Sequence, residues 1–446
     1  MTTFTQITKR TGEVVDFKTE RIANAIYRAA VSVGGRDKQL SEQLADQVVR
    51  FLEKQTKPGA NPTVEEVQDA VEKVLIENGH ARVAKAYILY RDERARLRSD
   101  RIASGQQPSE NIPWARLWRV LDWAVTHDVH TISSYNERIA RGDLDAIITE
   151  SEAAYHQDIE HASDLILERR KDLKLVIITG PSSSGKTTTT IKVSERLRRA
   201  GIKLVALTVD HYFFDLEMHP KDEFGDYDFE TPYALDLPLV NEHINRLIAG
   251  EEVRIPFYDF KTGKRQLDHS PMRIGPDEVI LIDSLHGLFP DMTVGVPDER
   301  KFKLYLEPLL QMKAPSGEYI RWTDIRLMRR MLRDASFRAY DPTRTLLHWH
   351  YVRNAEKRFI IPFITTTDAI VNSAMPYELS IYKPRLVEQF AGWVEKYRDD
   401  PLHKDAFERA SRTYNFLKWI TPLHDDAVVP SDSVIREFIG GSVYQY

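Results

Sequence analysis

Residues 174–190 read "KLVIITGPSSSGKTTTT", and no other stretch restricts the fold so tightly. A short apolar run is followed by Gly180, a proline and three serines, Gly185, Lys186 and four threonines. The spacing G-x4-G-K-[ST] is met at every required position, and the apolar run before it with a helical pattern after it is the context that spacing needs. Small residues let successive backbone N–H groups turn inward around an anion. The helix start adds unpaired amides and a favourable dipole. The expectation is a strand–loop–helix in which Gly180, Ser182, Ser183, Ser184, Gly185, Lys186, Thr187 and Thr188 hold the phosphates of ATP. Lys186 would reach the β- and γ-phosphates, and the Thr187 hydroxyl would bind Mg2+.

From residue 173 onward, short apolar runs alternate with helical patterns: "LKLVIIT", "IKLVALTV", "EVILID", "KFKLYLE" and "DAIVNS". Runs of this kind predict parallel strands covered by helices on both faces, hence an α/β fold with a doubly wound parallel sheet. Ligands of such sheets bind at the carboxyl ends of the strands. Asp210 ends one of these runs and Asp283 another, where an acid can hold Mg2+ or take a proton from a nucleophile. In "IRLMRRMLRD", Arg326, Arg329, Arg330 and Arg333 fall three, four and seven apart and share one helix face. That face is expected to be a cationic clamp over a transferring phosphoryl group.

The chain before this region divides in two. Residues 1–98 predict a hairpin around Arg10-Thr11-Gly12, then a helix from about Thr19 that stops at Gly34-Gly35. A second helix follows from about Ser41 to Gln55, and a third opens on Thr63 with Glu66 as a capping box. Residues 99–112 are polar with Gly and Pro and read as a linker. A helical connector carries the chain to 170. The phosphate-loop domain is placed at 171–379 and a helical extension at 380–446.

With 62 Lys and Arg against 67 Asp and Glu, the formal charge of −5 gives no electrostatic reason to expect nucleic acid or an anionic membrane as partner. The absence of cysteine excludes disulfides, thiolate metal sites and cysteine nucleophiles. The N-terminal "MTTFTQITKR" lacks the apolar stretch of a signal peptide, so a cytoplasmic protein is expected.

With these motifs in hand, residues from about 173 to 375 resemble the uridine kinase and phosphoribulokinase group of P-loop kinases. The segment "VDHYFFDL" is similar to the family's "DSFY" segment, which implies that Asp210 is the base for a nucleoside 5′-hydroxyl. "YDFETPYALD" resembles the ribose-holding segment, with Glu230 at the acidic position. "GEEVRIPFYDFKTGKR" resembles the nucleoside-pocket strand, with Tyr258 at its aromatic position. "RRMLRDASFR" resembles the lid and implies catalytic roles for Arg330, Arg333 and Arg338, with Arg330 also on the substrate. Asp283 stands where the family has a glutamate on the magnesium side. Gly263 and His348 occupy positions that read the base in pyrimidine kinases, Phe213 replaces a tyrosine, and Tyr340 replaces a lid arginine. Phosphate chemistry is thus retained while base-reading contacts are not.

Residues 1–98 resemble an ATP-cone, the regulatory domain of ribonucleotide reductases, on "ITKRTGEVVDFKTERIANAI" and "PTVEEVQDAVEKVLIENGHARVAKAYILYRDERARLR". The resemblance implies that Ile7, Lys9, Arg10, Arg21 and Ile22 contact an effector nucleotide, ATP or dATP. A homo-oligomer is the arrangement expected to carry coupling between that nucleotide and the kinase region. "VHTISSYNERIARGDL" and "SVIREFIGGSVY" resemble a bacterial subgroup of uridine-kinase-like proteins with added flanks. The expected activity is ATP- and Mg2+-dependent phosphorylation of a small hydroxyl compound, a nucleoside first. A sugar phosphate or pantothenate-like acceptor, or a non-enzymatic nucleotide sensor, are the alternatives.

Overall fold

The chain is represented by a computed structural model that describes residues 4–8, 14–56, 60–88, 112–220, 227–228, 230–338 and 340–445. Lys9, Arg10, the Arg338 side chain and nearly all of the expected linker lie outside the described residues.

The N-terminal region is a hairpin of β1 (Gln6–Thr8) and β2 (Val14–Asp16), paired Ile7 to Val15, on helices α1 (Thr19–Val31), α2 (Lys38–Gln55) and α3 (Val64–Glu77). The apolar spacing of α1 buries Ile22, Ala23, Ile26 and Ala29 against Leu44, Val48, Val71 and Val74. Its end is set by Gly34, at φ +92°. The Thr63–Glu66 capping box forms as expected: the Thr63 hydroxyl accepts the Glu66 N–H at 3.2 Å, and the Glu66 carboxylate accepts the Thr63 N–H at 2.7 Å. Helix α2 starts at Lys38 rather than Ser41, because the Asp37 carboxylate caps it by accepting the Leu40 N–H at 2.8 Å.

The remainder contains α4 (Trp114–Thr126), α5 (Ile132–Ala140), α6 (Leu144–Glu168), β3 (Leu175–Thr179), α7 (Lys186–Arg199) and β4 (Lys203–Ala206). It continues with α8 (Leu237–Ile248), β5 (Val253–Asp259), β6 (Lys264–Met272), β7 (Glu278–Ser284), β8 (Lys301–Glu307) and α9 (Trp322–Arg338). Last come α10 (Pro342–Phe359), β9 (Ala369–Asn372), α11 (Glu378–Tyr397), α12 (Lys404–Leu417) and the single turn α13 (Arg436–Ile439). Five strands form a parallel sheet in the order β4-β7-β3-β8-β9. Strand β3 is central and buried on both faces, which is why it reads as a continuous apolar run. Strands β5 and β6 form a separate antiparallel ribbon.

One contiguous core joins this sheet to its flanks. Tyr135, Ile147, Tyr155 and Ile166 of the connector pack with Val176 and Ile178 of β3 and with Phe390, Val434 and Ile435 of the extension. Buried hydroxyl contacts cross the same boundaries: Tyr135 to Ser380 at 2.6 Å, Tyr155 to Thr189 at 2.7 Å, and Tyr377 donating to Glu152 at 2.6 Å. The positions 170/171 and 379/380 are therefore not breaks in packing. Among the described residues no helix is long and apolar enough to cross a membrane.

The expected behaviour of fragments follows from this shared core. A fragment of residues 171–379 exposes the faces that the flanks bury and should show no cooperative thermal transition by circular dichroism. A fragment starting near residue 112 and running to the end should unfold cooperatively. A sharp transition in the shorter fragment would contradict the shared core.

Candidate active site

The loop between β3 and α7 is built from unusual backbone. Ser183 at φ +60° and Gly185 at φ +95° both lie in the left-handed region. A Cβ on Gly180 would sit 2.3 Å from the Leu306 carbonyl oxygen, so only glycine fits. The hydroxyls of Ser183 and Ser184 are buried and have no hydrogen-bond partner among the described residues. A phosphate oxygen would satisfy both.

The loop carbonyls are held from behind by α9. Arg326 donates to the Ser182 carbonyl at 3.2 Å and pairs with Glu356 and, at 3.2 Å, with Glu307. Arg329 donates to the Ser184 carbonyl at 3.2 Å, pairs with Glu378 at 2.7 Å and reaches the Ser373 carbonyl at 2.7 Å. Both arginines are fully buried. This corrects the expectation of a four-arginine clamp: Arg326 and Arg329 are locked under the loop and cannot move over a substrate. Arg330 and Arg333 are partly exposed and remain on the open side. Arg330 donates to the Ser182 hydroxyl at 2.8 Å and lies 3.6 Å from Glu230.

Around the loop mouth the charged groups are electrostatically coupled. Burial pushes the Lys186 ammonium pKa down, while Asp283 and, more weakly, Asp210 oppose that. Burial raises the Asp210 carboxyl pKa; Lys186 lowers it and Asp283 raises it. Asp283 is raised in the same way and accepts a hydrogen bond from the Thr190 hydroxyl at 3.1 Å. Asp283 is the penultimate residue of strand β7. Asp210 instead sits in a short 3-10 turn, Val209–Tyr212, beyond the end of β4. Glu230 is raised by burial and pulled back by Arg330. Thr187 is exposed at the second position of α7.

The segment after Asp210 meets the β5–β6 ribbon in an aromatic cluster. Phe213 lies 5.5 Å from Tyr258, and His211 lies 5.1 Å from Phe257 between ring centroids. Tyr258 is buried within this cluster. Gly263 forms the ribbon's turn at φ +67°, and a Cβ there would lie 2.7 Å from Leu216. No side chain at this position can read a base. His348 is exposed on α10. In the N-terminal region, Ile7 is half-buried, Arg21 is exposed, and Ile22 packs into the helical core.

Two residues at the site escaped the sequence reading. His286 follows β7 and is buried, with no well-formed hydrogen bond at either ring nitrogen among the described residues; burial and Lys186 push its pKa down to about 3, against the pull of the Glu230 backbone. Glu437, from the far end of the chain, accepts hydrogen bonds from Thr188. Only the oddity of a histidine three residues beyond a strand-end acid could have flagged the first. The second has no local signal.

A phosphate loop between a parallel strand and a helix, with an acid near the end of the neighbouring strand β7 and another just beyond β4, is the architecture of a phosphate-loop nucleotide-binding fold. Residues 175–379 match the phosphoribulokinase/uridine kinase family, and residues 5–96 match the ATP cone domain family. A uridine kinase of Deinococcus deserti is 27% identical over 195 residues, 44% of this chain and 84% of that protein. A uridine kinase of Halobacterium salinarum is 24% identical over 243 residues, 53% of this chain and 95% of that protein. The vitamin B12-dependent ribonucleoside-diphosphate reductase of Thermoplasma acidophilum is 41% identical over 105 residues, 22% of this chain but only 13% of the reductase. The chain thus carries one region that matches the phosphoribulokinase/uridine kinase family and another that matches the ATP cone domain family.

Replacing Arg329 by methionine should destabilise the protein by about 3–5 kcal/mol, because the buried Glu378 carboxylate loses its partner. Denaturant unfolding measures this. The same change at partly exposed Arg333 should cost far less, and equal losses would place the two arginines in equivalent roles.

Proposed function

We propose that this chain transfers the γ-phosphoryl group of ATP to a hydroxyl of a small molecule, a nucleoside in the first instance, under control of a second nucleotide at the ATP cone region. The observation that carries the reading is the coupled group of Lys186, Asp210 and Asp283 around the loop mouth. Asp210 accepts the proton of the acceptor hydroxyl. The hydroxyl oxygen bonds to the γ-phosphorus, the bond to the β–γ bridging oxygen breaks, and ADP leaves. Lys186, Arg330 and Arg333 hold the transferring group, with Arg338 assigned alongside them by family resemblance. Glu230, next to Arg330, holds the acceptor's other hydroxyls, with Tyr258 behind them.

Among the described residues no cluster of three or more His, Cys, Asp or Glu side chains has metal-binding geometry. That fits Mg2+, which keeps several waters and is bound by one or two protein oxygens together with substrate phosphates. Thr187 and Asp283 would hold it, and it would offset charge on the phosphates. With Gly263 in a tight turn and His348 on the surface, strong selection for uracil is not expected.

The regulatory half of the proposal rests on a direct contact. In the segment that continues from Asp210, the Glu217 carbonyl accepts from Asn24 of α1 at 2.9 Å, and the Met218 carbonyl accepts from Arg28 at 3.3 Å. Tyr27 and Val31 pack on Phe214 and Met218. Arg36 lies 3.4 Å from Asp236, and Lys38 lies 3.5 Å from Asp215. A nucleotide that shifts α1 therefore bears on the acceptor side of the site, and ATP or dATP is the assigned effector. A homo-oligomer and a cytoplasmic setting belong to the same proposal.

Asp210→Asn should lower kcat by about 10²–10⁴-fold and leave ATP affinity unchanged. Since the Asp210 pKa is raised, the base is lost as pH falls through that raised value. The acid limb of the kcat profile should therefore lie above the ordinary carboxylate range and vanish in the variant. A variant that keeps its turnover would remove Asp210 as the base.

Lys9→Ala with Arg10→Ala should abolish the effector response. Arg28→Ala should weaken that response while sparing effector binding. Coupling of about 1–3 kcal/mol corresponds to roughly 5–150-fold. Kinetics under dATP titration that are identical in all variants would mean that the cone region has no regulatory role.

A further inference from the structure

The C-terminal strap delivers a carboxylate to the phosphate loop. Glu437 lies 249 residues from Thr188 in sequence, yet its Oε2 accepts the Thr188 N–H at 3.1 Å and the Thr188 hydroxyl at 2.9 Å. Thr188 is the third residue of α7, in the first turn, where backbone N–H groups point out of the helix end. The N-cap of α7 is Gly185, which has no side chain to supply one. In a phosphate loop, this amide is among those turned toward the anion.

The strap is seated rather than draped. Val434 lies so close that a Cβ on Gly185 would sit 2.5 Å from its Cγ2. The Phe438 ring lies 5.0 Å from the Arg329 guanidinium. Asp432 pairs with Lys192 at 2.8 Å, and Arg436 donates to the Val429 carbonyl at 2.8 Å. The Glu437 carboxylate is buried, and burial raises its pKa against the opposing pull of Arg333 and Lys186. A carboxylate thus sits among the amide and the cations expected to bind phosphate. Gly440, at φ +85°, ends the single turn that carries Glu437, and its carbonyl accepts from Arg436 at 3.2 Å.

The geometry points to Glu437 as a built-in phosphate mimic: its carboxylate occupies the Thr188 donors, and a nucleotide must displace it to bind, so the strap sets nucleotide affinity. One amide hydrogen cannot serve two anions, and a phosphate beside the retained carboxylate would meet like-charge repulsion in a low-dielectric site. A rotation of the Glu437 side chain vacates the position. The idea rests on the reading of Gly180–Thr187 as the ATP site.

The test uses the full chain and titration calorimetry with ADP and with a non-hydrolysable ATP analogue, both with Mg2+. The proteins are the unaltered chain, E437Q, E437A and Lys186→Ala. E437Q keeps the volume and an acceptor for the Thr188 N–H but removes the charge, so it remains informative if E437A does not fold. Loss of a charged hydrogen bond of this kind should tighten nucleotide binding about tenfold or more. Nucleotide should also speed amide hydrogen exchange over residues 430–445 of the unaltered chain. Binding that depends on Lys186 but is equal or weaker in E437Q, with the strap equally or better protected, overturns the mimic and leaves the ATP site standing. If no variant binds nucleotide, the ATP-site reading falls and the mimic falls with it.

Discussion

The structure depends on how the carbonyls of a phosphate loop are satisfied. A loop that turns its N–H groups toward an anion turns its carbonyls the other way, here into the protein. A buried carbonyl without a donor costs about 1–3 kcal/mol. Arg326 and Arg329 supply the donors for Ser182 and Ser184, and a planar guanidinium can do this while pairing with carboxylates at its other nitrogens. Two buried cations then require buried anions, and Glu307, Glu356 and Glu378 provide them from β8, α10 and α11. Placing one anion site at the end of β3 thus dictates an ionic layer beneath it. That layer ties helices from well separated parts of the chain to the same spot.

This explains why some of the molecule was legible in the sequence and some was not. The strand–loop–helix and the Thr63 capping box are local: every group they need lies within a few residues, so their spacing states them. The parallel sheet was legible because strands buried on both faces lose their alternation. The arginines of α9 were legible only in part. Their spacing places them on one side of a helix, but whether that side meets water or protein depends on carboxylates at 307, 356 and 378. Periodicity carries no information about such partners. Glu437 is the extreme case, since its role depends entirely on a contact spanning most of the chain.

The same long-range packing changes the meaning of the flanks. Read alone, the connector and the C-terminal extension carry no chemistry. In the fold they supply Tyr155 against Thr189 of α7, and Val434 and Glu437 against the loop itself. The N-terminal region does the equivalent on the other side, with α1 against the segment that leads from Asp210. The nucleotide side and the acceptor side of the site are therefore each held by a different end of the chain.

That division has an electrostatic consequence. Lys186, Arg330 and Arg333 face Asp210, Asp283, Glu230 and Glu437 in the space around the loop. Without a ligand, the carboxylates already compensate the cations. A triphosphate entering alone would add several negative charges where little uncompensated positive charge is available. Two changes relieve this: a divalent cation that arrives with the nucleotide, and the departure of a carboxylate that is not needed for transfer. In the proposed transfer Asp210 has to stay to take the proton and Asp283 to stay beside the metal, while Glu230 is paired to Arg330. Glu437 alone among the four has no part in the proposed transfer, and among the described residues its carboxylate holds only the Thr188 donors, which makes it the charge that the site can release.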